Sequence, residues 1–205
     1  MDSSVKPDGK LHTFALAILA GIAIGIGGTV YLSVENRIAG ALAFTVGLYA
    51  ICVHGLNLFT GKAGYMVNRP LSYFEDLMVI WTGNLAGTWL TAEGVQRTRI
   101  CGISETAAEM CRIRMNDGIS GLFILAVFCG FLMFAAVDGY RLSKNPAILF
   151  ACVSAFILCG FEHCIADMFY FSLSCYWSPQ AFLRILAITL GNMAGAVLIP
   201  LLKKE

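Results

Sequence analysis

The chain has 205 residues, of which 58% are hydrophobic and 13% charged, with a formal net charge of +1 and a mean hydropathy of +0.75. Soluble domains carry roughly a quarter charged residues. The deficit excludes a water-facing surface, and no basic run suggests a nucleic-acid partner, which leaves a polytopic membrane protein.

Met1 to Lys10 is polar and does not resemble a signal-peptide n-region. The apolar stretch that follows, Thr13 to Val34, exceeds a signal h-region and lacks a convincing cleavage site, so it reads as a retained first span. A helix needs about 20 apolar residues to cross the hydrocarbon core. Six segments qualify, at roughly 13–34, 38–67, 76–97, 117–138, 146–176 and 179–202. The second and fifth are too long and too polar for one plain helix. The second contains Gly55-Leu56-Asn57-Leu58-Phe59-Thr60-Gly61-Lys62, and the fifth contains Gly160-Phe161-Glu162-His163-Cys164-Ile165-Ala166-Asp167. Backbone interrupted at membrane depth is tolerated only where it lines a cavity or is buried in protein. Ionisable groups at that depth are functional candidates by default. His54, also within an apolar span, reads as an interhelical hydrogen-bonding group. A polar loop is expected near 98–116.

The two halves resemble each other. Gly83-Asn84-Leu85-Ala86-Gly87-Thr88-Trp89-Leu90 recurs 108 positions later as Gly191-Asn192-Met193-Ala194-Gly195-Ala196-Val197-Leu198, with five of eight residues identical. More weakly, Phe14, Leu16, Ala17 and Gly21 recur as Phe123, Leu125, Ala126 and Gly130. Three spans per unit is an odd number, so two copies, roughly 13–97 and 117–202, form an inverted 3+3 repeat within one transmembrane domain over 1–205. Paired interruptions in corresponding spans point to a midplane site. The glycines read as helix-packing residues, and Asn84 and Asn192 as hydrogen-bonding supports for the interrupted backbones. With both termini cytoplasmic, Lys6, Lys10, Lys62, Arg69, Arg141, Lys144, Lys203 and Lys204 lie inside, against Arg37, Arg97, Arg99, Arg112, Arg114 and Arg184 outside. This weak bias favours cytoplasmic termini in a multi-pass protein of the cell membrane.

The eight cysteines show no metal-ligand spacing. Cys52, Cys129, Cys152 and Cys159 read as small packing residues of the spans. Cys101 and Cys111 fall in the polar loop, and the sequence leaves their pairing open. No nucleophile–base constellation or phosphate-cradling loop suggests an enzyme, and no cofactor or metal is expected. The histidines His12, His54 and His163 give little scope for paired haem ligands.

Taken together, Leu58-Phe59-Thr60, Trp81-Thr82-Gly83-Asn84-Leu85-Ala86-Gly87, Gly160-Phe161-Glu162-His163 and Gly191-Asn192 resemble the formate/nitrite transporter family over essentially the whole chain. The resemblance implies an aquaporin-like protomer of six spans with broken second and fifth helices, assembled as a homopentamer in the lipid bilayer, with one anion path per protomer. Carried over by position, it implies hydrophobic constrictions from Phe44, Leu48, Leu58, Phe59, Leu125 and Phe156, a loop threonine at Thr60 and a central histidine at His163. Departures from the family pattern include Asn57 where a glutamate is usual, Asp167 for an asparagine, Thr106 for a lysine and Leu122 for an asparagine. These make the chain most like the hydrosulfide-channel branch, with formate and nitrite as further substrates.

On this reading His163 donates a hydrogen bond to the passing anion and Thr60 offers a hydroxyl from the opposite loop. Asn57, Asn84, Glu162 and Asn192 are structural supports. Glu162 is expected to accept from backbone donors of the broken second span. Asp167, four residues beyond His163, would share its face if helix resumed there. A proton-coupled carrier of the same architecture is the leading alternative. A neutral-solute channel of aquaporin type is less favoured because no Asn-Pro-Ala pair is present.

Overall fold

The computed structural model describes residues 9–203; Lys6 and Lys204, both counted toward the cytoplasmic side, lie outside the described residues. The described residues form an all-helical bundle: α1 (Lys10–Ser33), α2 (Arg37–His54), α3 (Phe59–Lys62), α4 (Tyr73–Gln96), α5 (Ile103–Asn116), α6 (Ile119–Ser143), α7 (Ala147–Cys159), α8 (Cys164–Leu173) and α9 (Pro179–Leu202).

Local chemistry sets the boundaries. The Asn36 side chain accepts from the amides of Ile38 and Ala39 at the start of α2. Ser178 accepts from Ala181 ahead of α9, whose first residue is Pro179; this proline has no amide to leave unpaired. Helices α2 and α7 both stop at a glycine in the left-handed region, Gly55 at φ 65° and Gly160 at φ 70°, which a side chain would strain.

Among the described residues, four continuous helices are long and apolar enough to cross a membrane: α1, α2, α6 and α9. Helices α7 and α8 form a pair bent by 57° at the Gly160 break. Helix α4 equals α1 at 24 residues, about 36 Å at 1.5 Å per residue, but Glu75, Asp76 and Glu93 make it less apolar. The second expected segment divides less evenly than the fifth. Helix α2 alone reaches spanning length, and beyond the break one α-helical turn runs into a 3-10 helix over Ala63–Asn68.

The expected polar loop at 98–116 is corrected: most of it is the 14-residue helix α5, which packs on α8 through Ala107, Cys111 and Arg114. Cys101 and Cys111 are both free thiols. Cys101 is exposed, whereas Cys111 is buried with its Sγ 3.4 Å from Ser174 Oγ. His54 ends α2 exposed on the protomer surface instead of buried between helices.

The bundle is organised by two extensively packed pairs, α1 with α4 and α6 with α9. In both, glycine lets one backbone lie on another. A Cβ at Gly87 would collide with the Ile18 carbonyl, and one at Gly195 with the Val127 carbonyl. Neither obstacle is a flexible side chain, so neither can move aside cheaply. Outward positions are also apolar, among them Leu19, Leu42, Phe123, Phe128 and Leu190, as a lipid-facing surface requires.

Gly195→Ala should therefore destabilise the protein by on the order of 1–3 kcal/mol through overpacking. Gly94→Ala, with nothing near its Cβ position, should stabilise it by about 0.5–1 kcal/mol through helix propensity. Thermal unfolding in detergent should shift the two midpoints in opposite directions.

Candidate functional site

The two breaks meet in the middle of the bundle. After Gly55 and after Gly160 the chain runs extended for a few residues, then re-enters helix at Phe59 and at Cys164. Each re-entry exposes backbone groups that lack helical partners, and in both cases an asparagine from a neighbouring helix satisfies them.

Asn84 on α4 accepts from the Phe59 amide at 2.9 Å, and its Nδ2 donates to the carbonyls of Asn57 at 2.9 Å and Ala17 at 2.8 Å. Asn192 on α9 does the same for the other break. It accepts from the Cys164 amide at 2.9 Å and donates to the carbonyls of Glu162 and Ala126, both at 2.8 Å. Both asparagines are fully buried, and both use their acceptor oxygen and two donor hydrogens. Asn57 adds a further tie, its Nδ2 donating to the Thr13 carbonyl at 3.2 Å.

Thr60 and His163, expected from opposite breaks, are brought into direct contact. Thr60 Oγ1 lies 2.8 Å from His163 Nε2, and both residues are buried. The other ring nitrogen, Nδ1, accepts from the Ala166 amide at 3.1 Å and caps α8. A nitrogen that accepts carries no hydrogen, so the ring is neutral and its one hydrogen is on Nε2. That hydrogen is directed to Thr60 Oγ1, and the Thr60 hydroxyl hydrogen is left to serve a third group.

Aromatic and aliphatic residues enclose this pair. Phe156 stacks on the His163 ring at 5.7 Å between centroids, and Phe44 meets Phe156 edge-on at 6.0 Å. Leu48, Leu58 and Phe59 are buried in the same core cluster. Leu125 is half-buried, whereas Leu122 and Ala126 on the same helix are fully buried. Leu58 also borders a cavity of about 610 Å³, whose lining includes Lys62, Tyr65, Arg69 and Arg141.

Glu162 departs from expectation. Its backbone carbonyl accepts from Asn192, but its carboxylate faces away from the second span, 2.7 Å from Arg114 Nε. Asp167 lies on the same guanidinium, accepting from Nε at 2.9 Å. His163 is non-helical at φ −114° and ψ 106°, so the chain alternates there, and Glu162 and His163 point to opposite sides. Arg114, which sequence reading left as one outer loop charge, is thus buried beside the break. Arg184 on α9 holds the end of α5, donating to the carbonyls of Arg114 at 2.8 Å and Met115 at 2.6 Å.

Two broken helices joined at a buried histidine–threonine contact, inside a bundle with an apolar exterior, define an integral membrane protein organised around an internal polar point. The chain belongs to the formate/nitrite transporter family, which it matches over residues 8–203. It is similar to the formate channel FocB of Escherichia coli strain K12, with 22% identity across 94% of this chain and 81% of that protein. It also resembles the uncharacterized transporter YwcJ of Bacillus subtilis strain 168, with 26% identity over 92% and 86% of the respective chains. Among solved structures, a pentameric formate channel with formate bound has a TM-score of 0.80 at 24% identity, covering 94% of this chain and 95% of that one. An ion channel of the same family has a TM-score of 0.84 at 20% identity, covering 94% and 88%.

Asn84→Ala and Asn192→Ala each deprive three buried backbone groups of a partner and should cost at least about 3 kcal/mol. Hydrogen-exchange mass spectrometry should report faster exchange in the peptide containing Phe59 for the first and the peptide containing Cys164 for the second.

Proposed function

We propose that this chain is the protomer of a homopentameric channel for small monovalent anions of weak acids. Hydrosulfide is its foremost substrate, formate and nitrite are further ones, and each protomer has its own path. On this reading the bundle is an inverted 3+3 repeat in the cell membrane with cytoplasmic termini. The matching roles of Asn84 and Asn192 support the repeat, and the pentameric formate channel of similar fold supports the assembly.

The Thr60–His163 contact carries the proposal. The free Thr60 hydroxyl hydrogen donates to the anion while His163 Nε2–H polarises that hydroxyl from behind. Helix α8, ten residues long, adds the positive end of its dipole beside the same point. A neutral imidazole that surrendered its only hydrogen would become imidazolate. Its pattern of bonds therefore favours holding the anion by hydrogen bonding over protonating it, and any proton that accompanies the anion comes from water.

Phe44, Leu48, Leu58, Phe59, Leu125 and Phe156 form the apolar constrictions on this path. They cannot replace hydration, so they oppose strongly hydrated ions. A soft, weakly hydrated anion such as hydrosulfide loses least in crossing them.

The test is flux of hydrosulfide, formate, nitrite and chloride into proteoliposomes at several pH values. Thr60→Val should lower weak-acid anion flux about tenfold or more, the equivalent of one charge-assisted hydrogen bond. His163→Asn should change selectivity or pH dependence with the pentamer intact by size-exclusion chromatography. Unchanged flux in both variants would refute the assignment.

A further inference from the structure

Arg114, Glu162 and Asp167 form a buried ionic cluster whose charges do not balance. The residues are 8%, 4% and 1% exposed, respectively. Arg114 Nε carries a single hydrogen, which is directed to Asp167 Oδ1 at 2.9 Å. The same nitrogen lies 2.7 Å from Glu162 Oε2, yet that oxygen has no hydrogen-bond partner, and Asp167 Oδ2 has none either. Another guanidinium nitrogen is committed to the Met110 carbonyl at 3.0 Å.

Among the described residues no second cation pairs with either carboxyl: Arg184 on α9 is nearby but donates to the carbonyls of Arg114 and Met115. Tyr170 lies beneath the guanidinium with its ring centroid 5.6 Å away. Cys111 comes from α5, Cys129 from α6, Cys164 from α8 and Tyr31 from α1. Among the described residues these facing groups are thiols and phenols. With both carboxyls ionised, two negative charges would share one positive charge out of reach of water, an arrangement that buried sites do not sustain. The two carboxyl groups converge on one atom, Arg114 Nε, at 2.7 Å and 2.9 Å.

We infer that Glu162 and Asp167 bind one proton between them, making the cluster a neutral proton site built onto the broken fifth span. The O–H of one carboxyl supplies the donor that an orphaned oxygen of the other lacks, while Arg114 neutralises the remaining charge.

The site adjoins the anion path through the backbone. Glu162 immediately precedes His163, and the Asp167 amide donates to the His163 carbonyl at 2.9 Å. When the pH rises, the carboxyl O–H bond breaks, the proton leaves to water, and one uncompensated negative charge remains behind the histidine. That charge repels an incoming anion, so conduction falls as the proton is lost. This consequence rests on the channel reading above; the proton itself does not.

The experiment uses full-length protein in two measurements. Infrared difference spectroscopy near neutral pH should detect a protonated buried carboxyl in the wild type that vanishes in D167N and in E162Q. Formate flux should fall about tenfold between mildly acidic and alkaline pH, as a single uncompensated charge near the path predicts, and be flat in D167N at the wild-type acid level. Formate is chosen because its own ionisation is complete throughout that range. Absence of the infrared band from wild type, a band that persists in both variants, or a wild-type pH profile in D167N would overturn the proposal. Should D167N not assemble, E162Q and the wild-type spectrum decide it. No flux of hydrosulfide, formate or nitrite at any pH would refute the channel reading, with the infrared band still deciding the proton.

Discussion

An interrupted helix inside a bilayer exposes backbone amides and carbonyls where water cannot reach them, and the rest of this structure depends on meeting that demand. Each break presents one amide and one carbonyl at fixed places, and a single carboxamide side chain meets both with one donor left for the neighbouring helix. Asn84 and Asn192 supply it, each from a helix that already lies against the broken segment. Their reach is short, so α4 must lie close on α1 and α9 close on α6. The glycines that pack those helices backbone to backbone are therefore part of the same device. Packing and polar satisfaction are one requirement here.

Much of this was legible in the sequence because it depends on residue types repeated at an offset of 108 to 109 positions. The Gly-Asn-x-Ala-Gly pair located both supports, and Ala17 and Ala126, part of the weaker match, supply two of the four carbonyls that the asparagines bind. The breaks were legible as over-long, polar spans, and in the structure each opens at a left-handed glycine, Gly55 and Gly160. The meeting of Thr60 with His163 was legible only as a family resemblance, since no local pattern relates residues 103 positions apart.

What failed to show itself has equally particular reasons. Helix α5 buries Ala107, Cys111 and Arg114, a helical spacing in which an arginine occupies a core position. Hydropathy counts that arginine as a loop residue. Asp167 would share a face with His163 only if helix already ran there, and His163 instead precedes the helix as its N-cap, so the four-residue rule does not reach it. Glu162 was assigned to backbone donors of the broken second span, yet Asn84 meets that demand at the Phe59 amide, and the Glu162 carboxylate lies beside Arg114 instead.

The break in the fifth span thus separates two kinds of chemistry with very little chain. Extended backbone at Glu162 and His163 sends consecutive side chains in opposite directions, the imidazole toward Thr60 and the carboxylate toward α5. A continuous helix would have set them about 100° apart and left both near one surface. Breaking the helix consequently does more than expose a turn of backbone. It puts a neutral donor pair on one side of a single strand and an ionic cluster on the other. Arg184 and Arg114 then tie α5 to that second side, so the amphipathic helix outside the path bears on the segment that forms it.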